Sequence, residues 1–215
     1  LANVDEAFAY REDQLEVLHR SVNELGMSGL YYTLSGFFRN GYSAYFSDEL
    51  YYPFWDAVSA LDIPVFWVFL GDSPMGGFKE EMALFGKWLE RYPQIPSVLV
   101  HGVPTALFAD EKDRVTLPDY MREILTQFPV YCEVLYPIAW GGKTDYPYAR
   151  AQADIHRLYD QLGPGRLVWG SDMPNVERYC TYRQSLSYMD YCDFFNASDR
   201  QKILGGTMRA LFARK

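Results

Sequence analysis

The sequence has little of what builds disulfide frameworks, zinc knuckles or membrane spans. Its three cysteines, Cys132, Cys180 and Cys192, are odd in number and show no Cys-x-x-Cys spacing, which argues against a disulfide framework and a zinc knuckle. The strongest apolar run, Ile63–Leu70, is far shorter than the roughly 18–20 residues that cross a bilayer. The first residues contain neither the basic nor the apolar region of a signal peptide. We therefore expect a cytoplasmic protein without a membrane partner.

Positive charge is also in short supply. The chain has 20 Lys and Arg against 28 Asp and Glu, a net charge of −8, so the electrostatic footprint of a nucleic-acid binder is missing. Phosphate loops, nucleophile elbows and dinucleotide glycine patterns are absent too, since Met75-Gly-Gly does not fit GxGxxG. With 49% apolar and 22% charged residues, the composition is that of an ordinary globular protein. We expect one domain over residues 1–215 that acts on a small molecule.

Strand-like and helix-like patterns alternate along the chain. Strand centres fall near residues 31, 67, 99, 132 and 169, a spacing of about 32–37 residues that is typical of parallel βαβ units. The strands are continuous apolar runs, as expected when both faces are buried. This rhythm predicts an α/β fold. Five such units could form an open doubly wound sheet or most of a closed barrel, and the spacing does not choose between the two.

The helix boundaries are predicted from apolar stripes and capping residues. One helix is expected over about 48–61, with Leu50 on its apolar face, and another near 78–91. A capping-box-like pattern predicts a helix that begins at Thr116, and the box Ser198-x-x-Gln201 predicts the start of the last helix.

Two strands end in a side chain that can do chemistry. In both architectures ligands bind at the carboxyl ends of the strands. His101 ends the run from Ser97 and precedes Gly102, where an imidazole can act as a general base, a general acid or a metal ligand. The other two histidines, His19 and His156, lie within amphipathic helices. We therefore favour a functional His101 over a structural one.

Asp172 ends the run Leu167-Val-Trp-Gly-Ser, and Pro174 stops regular structure just beyond it. A carboxylate at the end of a buried strand is costly to desolvate unless a metal, a cation or hydrogen-bond donors lie beside it. An aspartate that caps its own turn is the alternative. The residue pattern leaves both interpretations open.

Two segments around these residues carry a resemblance to a known family: Tyr92-Pro-Gln-Ile-Pro-Ser-Val-Leu-Val-His101-Gly and Gly163-Pro-Gly-Arg-Leu-Val-Trp-Gly-Ser-Asp172-Met-Pro. Together they resemble the amidohydrolase-2 branch of the amidohydrolase superfamily, and the closing segment 199–212 is similar to the last helix of that family. The resemblance implies a (β/α)₈ TIM barrel of which this chain would hold about five βα units. Leu167–Asp172 would be strand eight, Val98–His101 strand six and Ser28–Leu34 strand four. The first three strands, with the His-x-His motif of strand one, would lie outside these 215 residues.

The resemblance also implies a site and a reaction. Asp172 would be a general base and metal ligand, and His101 would polarise the substrate, with a divalent metal ion, zinc first, as the cofactor. The family's metal-binding histidine on strand five falls here on Val68 or Phe69, neither of which binds metal, so metal dependence stays open. The expected activity is hydrolysis of a small carboxylated or cyclic substrate, aromatic ones included. The alternatives are decarboxylation of an aromatic or muconate-type acid, and a non-catalytic barrel that acts as a binding or partner subunit.

An aromatic stretch over residues 31–55 is expected to overhang the strand ends. Phe37 and Phe38 would form walls for a planar substrate, and Arg39 would pair with its carboxylate. For the segment Tyr51 to Trp55 we favour an oligomer interface, in a homodimer, because aromatic residues are enriched there. Trp140, before Gly-Gly, would contact substrate from a lid or belong to a plain turn.

Glu133 is a carboxylate within the strand-like run from Val130. A buried strand carboxylate needs a partner, so it could point into the barrel mouth. Of the two interpretations we favour a structural hydrogen bond to a neighbouring loop.

Overall fold

The computed structural model describes residues 1–41, 44–69, 76–134 and 145–213, except for the side chains of Phe38 and Asn40. Five short strands fall within these ranges: β1 (Leu30–Thr33), β2 (Val65–Val68), β3 (Ser97–Val100), β4 (Val130–Glu133) and β5 (Leu167–Val168). They belong to one sheet in the order β1-β2-β3-β4-β5. The pairs β1–β2, β2–β3 and β4–β5 are parallel, which confirms the α/β class and brings the carboxyl ends of paired strands to the same edge.

Helices separate the strands along the chain. Within the described residues they are α1 (Glu12–Asn23), α2 (Tyr52–Ala60), α3 (Phe78–Arg91), α4 (Asp119–Gln127), α5 (Ala149–Leu162), α6 (Tyr182–Ser187), α7 (Ala197–Gln201) and α8 (Thr207–Phe212). The helix α3 has the predicted bounds. None of the helices in this part of the chain combines the length and apolarity that a bilayer crossing requires.

The chain divides into two compact units. The first consists of Leu1–Val100 with Gln127–Val130 and Leu211–Lys215, and the second of His101–Thr126 with Tyr131–Ala210. A single domain over residues 1–215 remains a prediction.

The core of the first unit is built around Trp67 in β2, which is fully buried. Its ring has six aromatic neighbours at centroid distances of 5.0–6.0 Å: Tyr32, Phe46, Trp55, Phe69, Phe85 and Trp88. The indole Nε1 donates to Ser97 Oγ at 3.1 Å on the neighbouring strand. This arrangement satisfies the one polar atom of a large apolar side chain, as buried tryptophans require.

The oligomer interface predicted for the segment Tyr51 to Trp55 is wrong for three of its aromatic residues, which are buried. Tyr51, Phe54 and Trp55 have no exposed surface, because they pack into the core of their own unit. The Tyr51 hydroxyl donates to the carbonyl oxygen of Ala7 at 2.9 Å, and Trp55 Nε1 donates to the carbonyl of Phe46 at 2.7 Å. A homodimer remains a prediction, without this segment as its surface.

Three predicted helix starts are corrected by local chemistry. A short 3₁₀ turn, Glu49–Tyr51, precedes α2 and is capped by Asp48, so Leu50 lies before the helix and is 47% exposed. The helix α4 begins at Asp119 and not at Thr116, whose N–H instead donates to Phe108. The cap of α7 is Asn196 and not Ser198, since Asn196 Oδ1 accepts from the N–H of Asp199 at 2.9 Å.

The first residues lie beside β1. Ala2 forms a parallel bridge with Leu30, and its carbonyl accepts from the N–H of Tyr31 at 2.9 Å. An extended segment therefore covers this edge of β1, which no other strand in the described residues does.

In the second unit, α5 anchors the segment that follows β3. Asp154 is a buried carboxylate on α5 that accepts from the Thr105 hydroxyl at 2.7 Å and from Arg150 at 3.1 Å. Both bonds satisfy a charge that burial would otherwise penalise, and the first of them ties the turn Thr105–Phe108 to α5.

We expect Trp67→Ala to lower the free energy of unfolding by about 3–5 kcal/mol, because it removes a large ring from a packed core. Urea denaturation measures the loss. Leu50→Ala is the matched control, since Leu50 is exposed and its removal should change stability by no more than about 0.5 kcal/mol. Equal losses in the two variants would contradict the core assigned to Trp67.

Candidate active site

His101 is the first residue after β3 and adopts a left-handed backbone. Its φ is +68°, and Gly102 follows with φ of +70°. Glycine is required at the second position, because a Cβ there would lie 2.0 Å from the carbonyl oxygen of Glu133. This conformation is unfavourable for a residue with a Cβ. The left-handed turn ends the strand, and it sets the direction in which the His101 side chain leaves the backbone.

Asp172 follows β5 after Trp169-Gly170-Ser171 and is also left-handed, with φ of +45°. Its Oδ1 accepts from Asn175 Nδ2 at 3.2 Å, and its carbonyl accepts from the N–H of Val176 at 3.1 Å. The turn that follows is therefore tied to both the side chain and the backbone of Asp172. Both predicted site residues thus occupy a backbone region that costs non-glycine residues about 1–3 kcal/mol.

His101 and Asp172 both lie in the second unit and interact electrostatically. Burial lowers the pKa of the His101 imidazole below its ordinary value of 6.5, and the negative charge of Asp172 acts in the opposite direction. The imidazole is therefore mainly neutral at pH 7, and a carboxylate is placed to stabilise its charged form. Such a pair can move a proton at neutral pH.

Glu133, the last residue of β4, joins the same site. Its Oε2 accepts from the backbone N–H of His101 at 2.6 Å, which confirms the structural hydrogen bond favoured from the sequence. Burial raises the pKa of Glu133 to about 7; the bond from His101 lowers it and the charge of Asp172 raises it further. Gly170 makes room for the carboxylate, because a Cβ at Gly170 would lie 1.7 Å from Glu133 Oε1.

The sequence raises a position in the barrel mouth for Glu133 but favours the structural hydrogen bond over it. A single carboxylate interrupts an apolar strand and occupies its last position. The direction of its side chain, however, depends on the backbone of His101 and Gly102, which the residue pattern did not reveal.

The described residues do not fit a metal ion on their own. They contain no group of three or more His, Cys, Asp and Glu side chains that could hold one. The residue after β2 is Phe69, and its ring packs against Phe78 and Phe85 at centroid distances of 6.1 and 5.2 Å. Of the two residues that could occupy the family position of a metal-binding histidine, Val68 is buried in β2 and Phe69 belongs to this aromatic cluster. Neither offers a metal ligand, and Asp172 as a metal ligand stays a prediction.

The predicted substrate contacts are placed in the first unit or fall outside the described residues. Arg39 Nη2 donates to Asp5 Oδ1 at 3.0 Å and to Glu6 Oε2 at 3.2 Å, so its charge is already matched by two carboxylates of the chain. Phe37 is fully buried, and this position in the core does not support a role as a pocket wall. The Phe38 side chain and Trp140 lie outside the described residues.

Sequence comparison decides the family. The profile described as Amidohydrolase matches residues 5–214, nearly the whole chain. The chain belongs to the amidohydrolase family. This result confirms the resemblance seen in the segments that end in His101 and Asp172.

One curated relative of this amidohydrolase is the gamma-resorcylate decarboxylase of Polaromonas sp. (strain JS666 / ATCC BAA-500). It is 27% identical over an alignment of 232 positions, which spans 91% of this chain and 64% of that protein. The chain therefore spans less than two thirds of the relative.

Solved structures resemble the fold. An amidohydrolase from Burkholderia multivorans matches with a TM-score of 0.68 and 16% identity, over 95% of this chain and 70% of that one. A second structure of a Burkholderia multivorans amidohydrolase holds zinc, and matches with a TM-score of 0.63 and 17% identity over 90% and 69% of the two chains. A dihydroxybenzoic acid decarboxylase from Polaromonas sp. JS666, with bound manganese and the inhibitor 2-nitroresorcinol, matches with a TM-score of 0.62 and 17% identity over 93% and 64%. The predicted fold class, a part of an amidohydrolase TIM barrel, is confirmed.

Gly102→Ala should destabilise the protein by about 2 kcal/mol or more, because it adds a Cβ at a left-handed position against a backbone carbonyl. Chemical denaturation followed by tryptophan fluorescence gives the loss. Gly165→Ala serves as the control, since a Cβ there meets no atom within 4 Å, and should be near neutral. Similar losses in both variants would argue against the tight packing of the β3 end on Glu133.

Glu133→Gln should reduce the fall in stability between about pH 4.5 and pH 7. The folded-state pKa of Glu133 is raised to about 7, so its contribution is complete below the unfolded value and is lost as the pH rises through 7. Unfolding free energies of wild type and variant at several pH values measure the difference. His101 and Asp172 are present in both proteins, so a difference between the two pH curves reports on Glu133. Parallel curves would contradict the raised pKa of Glu133.

Proposed function

We propose that this amidohydrolase removes the carboxylate of a small aromatic acid as CO₂. One observation carries the proposal: His101 and the Asp172 carboxylate follow the carboxyl ends of β3 and β5 and interact electrostatically. The relationship to a gamma-resorcylate decarboxylase supports a hydroxylated benzoate as the substrate class.

The reaction needs a proton at the ring carbon that bears the carboxylate. When this carbon takes the proton, its bond to the carboxylate can break, and the released electron pair restores the aromatic ring as CO₂ leaves. His101 would carry the proton from solvent to this carbon. Burial disfavours the charged form of the imidazole, and the negative charge of Asp172 would stabilise that form during transfer.

A divalent metal ion is part of the proposal, without a role in any step. Related structures hold manganese and zinc, which supports a divalent ion with Asp172 as one of its ligands, zinc being our first prediction. The described residues contain no three-donor group that could hold it, so further ligands would have to come from outside them. We assign it no step of the reaction.

Hydrolysis is the second candidate, and the same two side chains favour it. The Asp172 carboxylate can take a proton from an attacking water, while His101 stabilises the developing oxyanion. A cyclic ester or a related carboxylated substrate would suit this chemistry. The proton demand differs: decarboxylation delivers a proton to carbon, whereas hydrolysis removes one from water.

His101→Gln and Asp172→Asn should each lower kcat on 2,6-dihydroxybenzoate by about 10²- to 10⁴-fold, the usual effect of losing a proton-transfer group. Release of CO₂ and formation of the phenol product are followed with added manganese or zinc and with a chelator. His19→Gln is the control, because His19 is exposed on α1, and should keep the wild-type rate.

A pyrone dicarboxylate is a cyclic ester of the kind that hydrolysis would open. Assaying it in parallel with the benzoate separates the two candidate reactions. Turnover of the pyrone without CO₂ release from the benzoate would favour hydrolysis over decarboxylation. If neither compound reacts, or if both site variants keep the wild-type rate, the catalytic proposal fails and a binding or partner role takes its place.

A further inference from the structure

The Glu133 carboxylate lies where three segments of the second unit meet. One oxygen, Oε2, accepts from the N–H of His101 at 2.6 Å, across 32 residues of sequence. The other, Oε1, fills the space that a side chain at Gly170 would occupy. The residue after β3, the last residue of β4 and the segment after β5 thus meet at one carboxylate.

The hydrogen bond acts on the backbone that directs the imidazole. A left-handed φ is unfavourable for a residue with a Cβ, such as His101, whereas a short hydrogen bond from its N–H to a carboxylate oxygen is favourable. This one bond can therefore help to offset the strain at His101. Without it, the residue would relax toward an extended or right-handed backbone and its side chain would leave the chain in another direction.

The neighbouring glycines allow no easy substitute for this bond. Gly102 approaches the backbone carbonyl of Glu133, and Gly170 approaches its carboxylate, in both cases closer than any Cβ could. The close approach of Gly102 and Gly170 therefore leaves room for a glutamate at position 133 and for little else. A shorter or apolar side chain would leave the N–H of His101 without this acceptor.

We propose that Glu133 is a positioning residue for His101, which it holds through the backbone N–H. The proposal rests on the proposed function only where the rate of reaction is the readout. The hydrogen bond itself can be tested without any turnover.

The first test measures the bond in the protein labelled with ¹⁵N at its three histidines. The His101 amide, assigned by its loss in His101→Gln, should appear far downfield in wild type. It should stay near that position in Glu133→Gln, whose amide oxygen still accepts, and move upfield with faster hydrogen exchange in Glu133→Leu. The amides of His19 and His156 should not move. An unchanged His101 signal in Glu133→Leu would overturn the proposal.

The second test measures the consequence for the reaction. Glu133→Leu should lower kcat by about 10- to 100-fold with little change in KM, because misplacing a catalytic group by about 1 Å has effects of this size. Glu133→Gln should stay within about threefold of wild type. Glu123→Leu is the matched control, since Glu123 is an exposed glutamate on α4, and should not change the rate.

Two further outcomes would count against the proposal. An equal loss in Glu133→Gln and Glu133→Leu would make Glu133 the proton donor itself. A shifted His101 amide with a wild-type kcat would make the bond purely structural.

If Glu133→Leu does not fold, Glu133→Asp replaces it, because the aspartate side chain is one methylene shorter and its carboxylate would not reach the N–H of His101. If no substrate reacts, the proposed function fails alone, and NOEs from the His101 ring in wild type and Glu133→Leu decide whether the ring has moved.

Discussion

Burial of parallel strands on both faces is the constraint on which this structure depends. A strand such as β2 or β3 holds mainly apolar side chains along its length, because an unpaired polar group there would lose its hydration. The buried Ser97 in β3 is paired with Trp67. Reactive residues are therefore confined to strand ends. Parallel pairing then brings the ends of paired strands to the same edge. Glu133 is the last residue of β4, and His101 directly follows β3.

The same constraint explains why much of the fold could be predicted from the sequence. Apolar runs and their spacing gave the five strands and the α/β class, and the stripe of α3 gave its bounds. The starts of α2, α4 and α7 could not be predicted as well, since they depend on which side chain actually caps the turn. Asp48 and Asn196 do so here, although other polar residues nearby are equally suitable by type.

The candidate site was predictable in its residue types and not in its geometry. The position of His101 and Asp172 at strand ends was visible in the residue pattern, and family resemblance made it specific. Their left-handed backbones were not visible, because neither residue is a glycine. The aromatic segment was misread for a different reason. Rings at Tyr51 and Trp55 suit an interface and a core equally by composition, and only packing against residues distant in sequence places them inside.

The ion group at Arg39 has a consequence for any anion that approaches the end of β1. The guanidinium is shared by two carboxylates, of which the Glu6 side chain is 8% exposed and the Asp5 side chain 35%. Glu6 is also tied to the N–H of Thr33 at 3.1 Å, so it cannot leave without breaking the end of the strand. A newcomer would have to compete with Asp5 alone. Because Asp5 stays attached to the chain, its negative charge would remain near such an anion, and the net electrostatic attraction of Arg39 for it would be weak.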